Sequence, residues 1–423
     1  MSTPALRSLL FLTMAATAVF PSHSADWPHL RGPDGGGSTS ATGFATRWEE
    51  SKLAWQVELP GKGCSTPAVW QRRIYLTAPL DGKDAVLAYD WDGKVLWQTP
   101  LGAEQPGKHR NGSGSNPSPA TDGKGVFVAF KSGTLAALNM DGSLRWQTNL
   151  VEKFGAVNLF WDFGSSPVLT EKHVVMARMH NGESWLAAFD KDTGAMRWKV
   201  DRTFETPREC DNGYTTPVLI RHEGREALLT WGAERLTIHD AADGKLLWTC
   251  AGFNPAATPL WPAVASPVVV DGTAVVCFGR ADKGSPRLHG VRLGWTGDGT
   301  TTNHLWKRED ASAFVPTPVV YKGLVYVVGD RGQIDCIEPA TGKSLWSAAF
   351  PKGSSNFYSS PTIAGGVMYA VREDGTLFVA KVEGGFELLS EASVGDRVIA
   401  SVIPVDGRLL VRGVARLSCL AAP

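Results

Sequence analysis

Past its first 25 residues the sequence has no apolar run approaching the roughly 20 residues that a membrane-spanning helix needs, which excludes a later helical span. Net charge is missing too: 42 lysines and arginines balance 42 aspartates and glutamates, so no global field recruits nucleic acid. The nine histidines show no H-x-x-x-H or Cys/His spacing of a metal site, and neither a P-loop nor a G-x-S-x-G elbow occurs. The six cysteines, Cys64, Cys210, Cys250, Cys277, Cys336 and Cys419, are all separated. Three of them, Cys277, Cys336 and Cys419, fall in strands and read as small buried hydrophobes, while a bridge between Cys210 and Cys250 stays open. Helical heptads are absent.

What is present is a repeat. Residues 316–346, PTPVVYKGLVYVVGDRGQIDCIEPATGKSLW, read as four short strands, 317–320, 324–328, 333–338 and 344–348, broken at Lys322-Gly323, Asp330-Arg331-Gly332 and Ala340-Thr341-Gly342. Its opening Ser/Thr-Pro recurs at Thr66-Pro67, Ser118-Pro119, Ser166-Pro167, Thr216-Pro217, Ser266-Pro267, Thr317-Pro318 and Ser360-Pro361. Those prolines lie 52, 48, 50, 50, 51 and 43 residues apart, a blade-sized period. The closing Trp recurs at Trp97, Trp146, Trp198, Trp248, Trp306 and Trp346, with Leu389 in its place once. One indole per unit at one strand position reads as interblade packing rather than cofactor stacking.

The ends complete each other. Residues 400–420 supply three strands of an eighth unit, with Val402 at the proline position, and residues 52–59 (KLAWQVEL) supply its fourth, with Trp55. Joining them hides both edges of an open array. The expectation is an all-β, eight-bladed β-propeller of four-stranded antiparallel blades, residues 52–423, in which the N-terminal strand closes the last blade. Ahead of it, residues 1–25 have the layout of a cleaved secretory signal peptide, Arg7 followed by an apolar run from Leu9 to Phe20, which predicts a periplasmic or extracellular protein. Residues 26–51 read as an irregular Gly/Ser/Pro-rich arm anchored by Trp27 and Leu30 and otherwise loose.

The long interblade connections, 101–117, 150–164, 200–214, 250–264 and 348–358, share one face with the turns between second and third strands, and elaborated loops on a rigid scaffold are where function sits. They carry Phe160, Trp161, Phe163, Tyr214, Phe253, Trp261, Phe314, Phe357 and Tyr358, which favour ligand binding unless they seal the blade tops. Lys131, Arg178, Arg280, Arg331, Arg372 and Arg412 end second strands on that face and read as a basic collar for an anionic partner, or as solvated turn charge. The candidate ligand face is therefore Trp161, Tyr214, Trp261, Phe314, Tyr358, Arg178, Arg280, Arg331 and Arg372. Asp92, Asp141, Asp192 and Asp243 beside turn glycines read as structural.

The strings SSPV, GLVYVV, LAAFDKDTGAMRW and CIEPATGKSLW resemble the repeat of pyrroloquinoline-quinone-like, or quinoprotein-type, β-propellers, over nearly the whole mature chain. The opening WPHLRGPDG is similar to that of exported members without assigned activity. The resemblance implies eight blades and two directions of function: quinoprotein alcohol dehydrogenases, and the non-catalytic lipoprotein of the outer-membrane barrel-assembly machinery. The dehydrogenases carry a disulfide between adjacent cysteines, a catalytic Asp and a bound Ca²⁺, and no Cys-Cys pair occurs here. The reading is thus a monomeric, non-catalytic binding or scaffolding propeller, with no cofactor and no catalytic residue or metal ligand assigned, that recognises a protein or polysaccharide of the cell envelope. A quinone-dependent oxidoreductase holding pyrroloquinoline quinone with Ca²⁺, or a carbohydrate-binding propeller, is the alternative.

Overall fold

The computed structural model describes residues 26–421, so the leader expected at 1–25 lies outside the described residues. Eight sheets follow one another around a ring, seven from consecutive stretches of chain and the eighth from both ends. The repeat at 316–346 forms Val319–Tyr321, Leu324–Val328, Gln333–Ile337 and Ser344–Ala349, each antiparallel to the next. This is blade 6. Blade 8 is Ile403–Val405, Arg408–Arg412 and Arg416–Leu420 closed by Leu53–Glu58, with Gln56 opposite Ser418. Ring closure is as the sequence predicts.

The repeat residues explain themselves through what they touch in the next blade. The indole Nε1 of Trp55, Trp97, Trp146, Trp198 and Trp306 each donates to a carbonyl in the third turn of the following blade, at Trp91, Met140, Lys191, Ala241 and Pro339, over 2.8–3.3 Å. The turn glycine beside that carbonyl lies against the ring. A Cβ built on Gly194 would sit 2.6 Å from Trp146, and Gly194 has φ +70°, so only glycine satisfies both the backbone and the contact. Where blade 7 has Leu389 instead, Trp48 of the arm is buried among Leu389, Val379 and Leu420 in the same gap. Trp346, facing that blade, is only half-buried and packs against Phe386.

A second ring runs at the channel. The amides of Thr66, Ser118, Ser166, Thr216, Ser266 and Thr317 donate to the Ser/Thr hydroxyl of the next blade, at Ser118, Ser166, Thr216, Ser266, Thr317 and Ser360, and Ser401 donates to Thr66, all at 2.9–3.1 Å. Blade 8 lost the proline but kept the hydroxyl residue, Ser401, whose amide carries the series on to Thr66 of blade 1.

The arm is not loose. Trp27 is fully buried and bridges Val69 of blade 1, Ser38–Thr39 add a short parallel strand to blade 7, and Arg31 Nη2 donates to Pro318 O (3.0 Å) in blade 6. Residues 26–39 of the arm run along the inner strands, with Asp26 capping the Gln71 amide of a first turn (2.6 Å), and the arm then passes to the outer strand of blade 7, where Ser390 Oγ donates to Thr46 O (2.9 Å). The inner strands of a propeller leave one row of N–H and C=O groups unpaired, and the arm satisfies that row in four of the blades. Among the described residues no helix is long and apolar enough to cross a membrane.

Candidate binding face

The loop face is built by holding long connections down onto second-strand ends. The collar residues do that work from inside. Lys131 is buried and pairs with Asp162 (2.8 Å) of the 2→3 connection. Arg178, also buried, donates to Gly155 O (2.7 Å) and Phe154 O and lies over the Trp185 ring. Arg372 binds Asp374 (2.9 Å) and Pro351 O (3.3 Å), and Arg412 binds Ser65 O (2.8 Å) and Thr77 O (2.7 Å). Arg280 is half-buried, forked on Asp282 (2.7 Å) above the Phe314 ring. Only Arg331 of the set is exposed. Five of the six cations are thus spent on carbonyls and carboxylates of their own chain, because a charge placed at the blade's inner shoulder is covered by the incoming loop and must be paired.

Three carboxylates of this face, Asp162, Asp330 and Asp396, are engaged in the same way. Burial alone would raise Asp162, but the Lys131 ammonium and the amides of Lys108 and His109 outweigh it and hold the carboxyl below the usual range. Asp330 accepts from Phe314 N (2.7 Å) and Val315 N (3.1 Å), yet burial pushes it up to about 6. Asp396 accepts from Arg397, Ala415 and Arg416 amides. Among the described residues no three His, Cys, Asp or Glu side chains converge as a metal site, and the six cysteines are separate buried thiols. Asp211 of the 3→4 connection differs from those three carboxylates: its Oδ1 is buried with no hydrogen-bond partner, and burial raises its carboxyl.

The aromatic residues divide. Trp261 and Tyr214 are buried, Trp261 edge-on to Phe278 with the Arg287 guanidinium over its ring, and Phe253 and Phe357 pack in the interior. Phe314 and Tyr358 are half-buried. Phe160 and Trp161 stay outside, 58% and 37% exposed. They sit edge-on to each other (4.6 Å), and His109 of the 1→2 connection sits edge-on to Trp161 (4.7 Å). The Trp161 amide donates to Tyr214 Oη (2.9 Å), so of the predicted set the structure brings Trp161 and Tyr214 together, and Arg280 and Phe314 together, while the rest are distributed around the ring.

Beside Trp161 a groove of about 1030 Å³ runs along the outer strand of blade 2, between Leu144, Gln147, Lys108, Lys153 and Val157. One wall is the short helix Leu150–Phe154, started by Asn149, whose Oδ1 accepts from Val151 N (2.8 Å) and Glu152 N (3.1 Å), and ended by Gly155 at φ +81°. Lys108 and His109 were not legible as site residues. Nor was the cluster in which Glu373 pairs with Arg397 (3.0 Å) and Arg110 (3.4 Å), tying the 1→2 connection to blade 7, because those partners are up to 263 residues apart in sequence and share no motif.

Comparison with known proteins agrees with this architecture. A family model described as outer membrane protein assembly factor BamB matches residues 37–209 and 292–388, more than half of the chain. Outer membrane protein assembly factor BamB of Yersinia pestis is 27% identical over 285 residues, 66% of this chain and 64% of that protein, so the match spans just under two thirds of the relative's length. The protein of the same name from Alteromonas naphthalenivorans is 22% identical over 376 residues, 85% of this chain and 82% of that one. Among solved structures, BamB from Moraxella catarrhalis superposes with a TM-score of 0.60 at 16% identity, covering 87% of this chain and 98% of that one. A europium-containing methanol dehydrogenase superposes at 0.66 with 13% identity, covering 93% and 90%. At these identities the structural likenesses carry the fold alone. By the family match, the chain is a member of the outer membrane protein assembly factor BamB family of PQQ-like propellers.

Proposed function

We propose that this chain is an exported, non-catalytic scaffold of the cell envelope that takes part in outer-membrane protein assembly and grips a protein partner through its loop face. The observation that carries the reading is the Phe160–Trp161 pair, left exposed beside a groove on a face whose other predicted rings are buried or half-buried. Exposed aromatics next to a cleft supply the anchors that dominate protein interfaces. The kinship with outer membrane assembly factors supports the envelope setting.

The test compares the mature protein with Phe160→Ala/Trp161→Ala in capture from detergent-solubilised envelope, with partners identified by mass. The double variant should lose an outer-membrane assembly protein by tenfold or more while melting within a few degrees of wild type. In parallel, pyrroloquinoline quinone with Ca²⁺ should leave melting and absorbance unchanged; saturable stabilisation by that pair would replace this reading with the oxidoreductase one.

A further inference from the structure

The inner edges of the eight blades are not equally covered. Two residues after each Ser/Thr-Pro proline an amide points at the channel axis. In four blades the arm takes it: Val69 N donates to Trp27 O (2.8 Å), Thr121 N to Pro28 O (2.9 Å), Val320 N to Gly36 O (2.9 Å) and Ile363 N to Gly37 O (3.1 Å). In blade 8 that position is Pro404, which has no N–H. Blades 3, 4 and 5 are left, with Leu169, Leu219 and Val269. Their ladder register repeats that of the covered blades: Leu169 lies opposite Val174, Leu219 opposite Leu228 and Val269 opposite Ala274, as Val69 lies opposite Ile74. These amides therefore face the axis too, and among the described residues no arm carbonyl is bonded to them.

At this bare side the channel holds a cavity of about 450 Å³. The arm bounds it with Leu30 and Arg31, the blades with Leu169 and Leu219, and the hydroxyl ring with Ser266 and Thr317. Pro33 and Asp34 at its rim are exposed, so it communicates with solvent. Arg31 is 94% buried, being 6% exposed, and its Nε and Nη1 have no acceptor. Burial pushes its guanidinium down to about 9, and no carboxylate offsets that. Asp34 raises the neighbouring His29 instead, which burial nevertheless holds down at about 4, so His29 is neutral at pH 7. A buried cation without an anion is costly to fold around and is repaid when one arrives.

We propose that this axial cavity binds a small carboxylate on an apolar body: the carboxylate pairs with Arg31, an oxygen accepts from the Leu169 or Leu219 amide, and the body packs on Leu30 and the neighbouring prolines. The volume suits a small organic ligand. The site is independent of the loop-face interface, lying on the channel side away from the Phe160–Trp161 pair.

The test titrates the full mature chain with hexanoate, and with hexanol and inorganic phosphate as controls for body and charge, by calorimetry and thermal melting. Hexanoate at a hundredfold excess over Kd should raise Tm by about 3 °C, with no shift from hexanol and a smaller one from phosphate. Arg31→Met should abolish the hexanoate shift while its ligand-free Tm stays at or above wild type, since an unpaired buried cation has been removed. Leu30→Trp, which fills the cavity and keeps the guanidinium, should also abolish the shift, and decides the matter if Arg31→Met does not fold. No heat or shift from hexanoate, an undiminished shift in Leu30→Trp or in a folded Arg31→Met, or a large loss of ligand-free Tm in Arg31→Met would overturn the proposal. Phosphate matching hexanoate would overturn its apolar half.

Discussion

The two faces of this disc are held together by different means. On the turn face one lock is stamped five times over: an indole, the carbonyl it donates to and a glycine against its ring. On the loop face each junction is tied once in its own way, Lys131 to Asp162, Arg178 to two carbonyls, Arg397 to Glu373. Repetition makes the first face a scaffold, and where the lock is missing at Leu389 the arm's Trp48 fills the gap. Idiosyncrasy leaves the second free to carry a site, and there the Phe160–Trp161 pair is exposed.

The contrast can be broken in graded steps. Removing residues 26–59 takes away both the closing strand of blade 8 and the channel arm, and should abolish cooperative melting of the ring by circular dichroism, because two edges are exposed and an inner row of amides loses its partners. A truncated protein melting as wild type would show that the ring does not depend on its N-terminal closure. Next, Trp146→Ala, which empties a buried site and removes the indole's bond to the Lys191 carbonyl, should cost about 3–5 kcal/mol in denaturant unfolding. Arg178→Ala should cost about 2–3 kcal/mol through its charged bonds to the 2→3 connection, with protease cleavage near residue 155 as the local sign.

A smaller effect distinguishes the faces by pH. Asp84, fully buried beneath Ser132, is pushed by burial up to about 7. A carboxyl with a raised folded pKa binds its proton more readily folded than unfolded, so its contribution falls as pH rises from about 4 to about 7. Asp84→Asn should flatten that slope and stabilise the protein by about 1–2 kcal/mol at pH 8, while leaving it little changed at pH 4. Smallest of all, Trp161→Ala should cost under about 1 kcal/mol; a loss equal to that of Trp146→Ala would make the exposed pair part of the packing.

How much of this was legible follows from the same division. Blade number, strand limits and ring closure could be read because Ser/Thr-Pro, the turn glycine and Trp recur at a fixed period, and each recurrence is a contact between neighbours. What the hydroxyl does was not legible, since its partner is the next copy of itself 43–52 residues away. The arm was misjudged as loose because Gly/Ser/Pro composition reports backbone freedom in solution, whereas here the unpaired inner edges fix it. The six collar residues lie at or just past the ends of second strands, but their burial depends on where the long connections fold back, and non-repeating loops give no period to read. The same holds for Trp161 and Trp261, two loop tryptophans alike in sequence, one exposed and one covered.

The loop-face claim is tested most directly by placing a photoreactive residue at position 161 and, separately, at position 94 on the opposite turns, and irradiating intact cells. The account predicts a specific cross-link to an outer-membrane assembly protein from position 161 and none from position 94. Cross-linking from position 94 with silence at position 161 would contradict it, because the two positions are separated by the thickness of the disc and one compact interface cannot cover both.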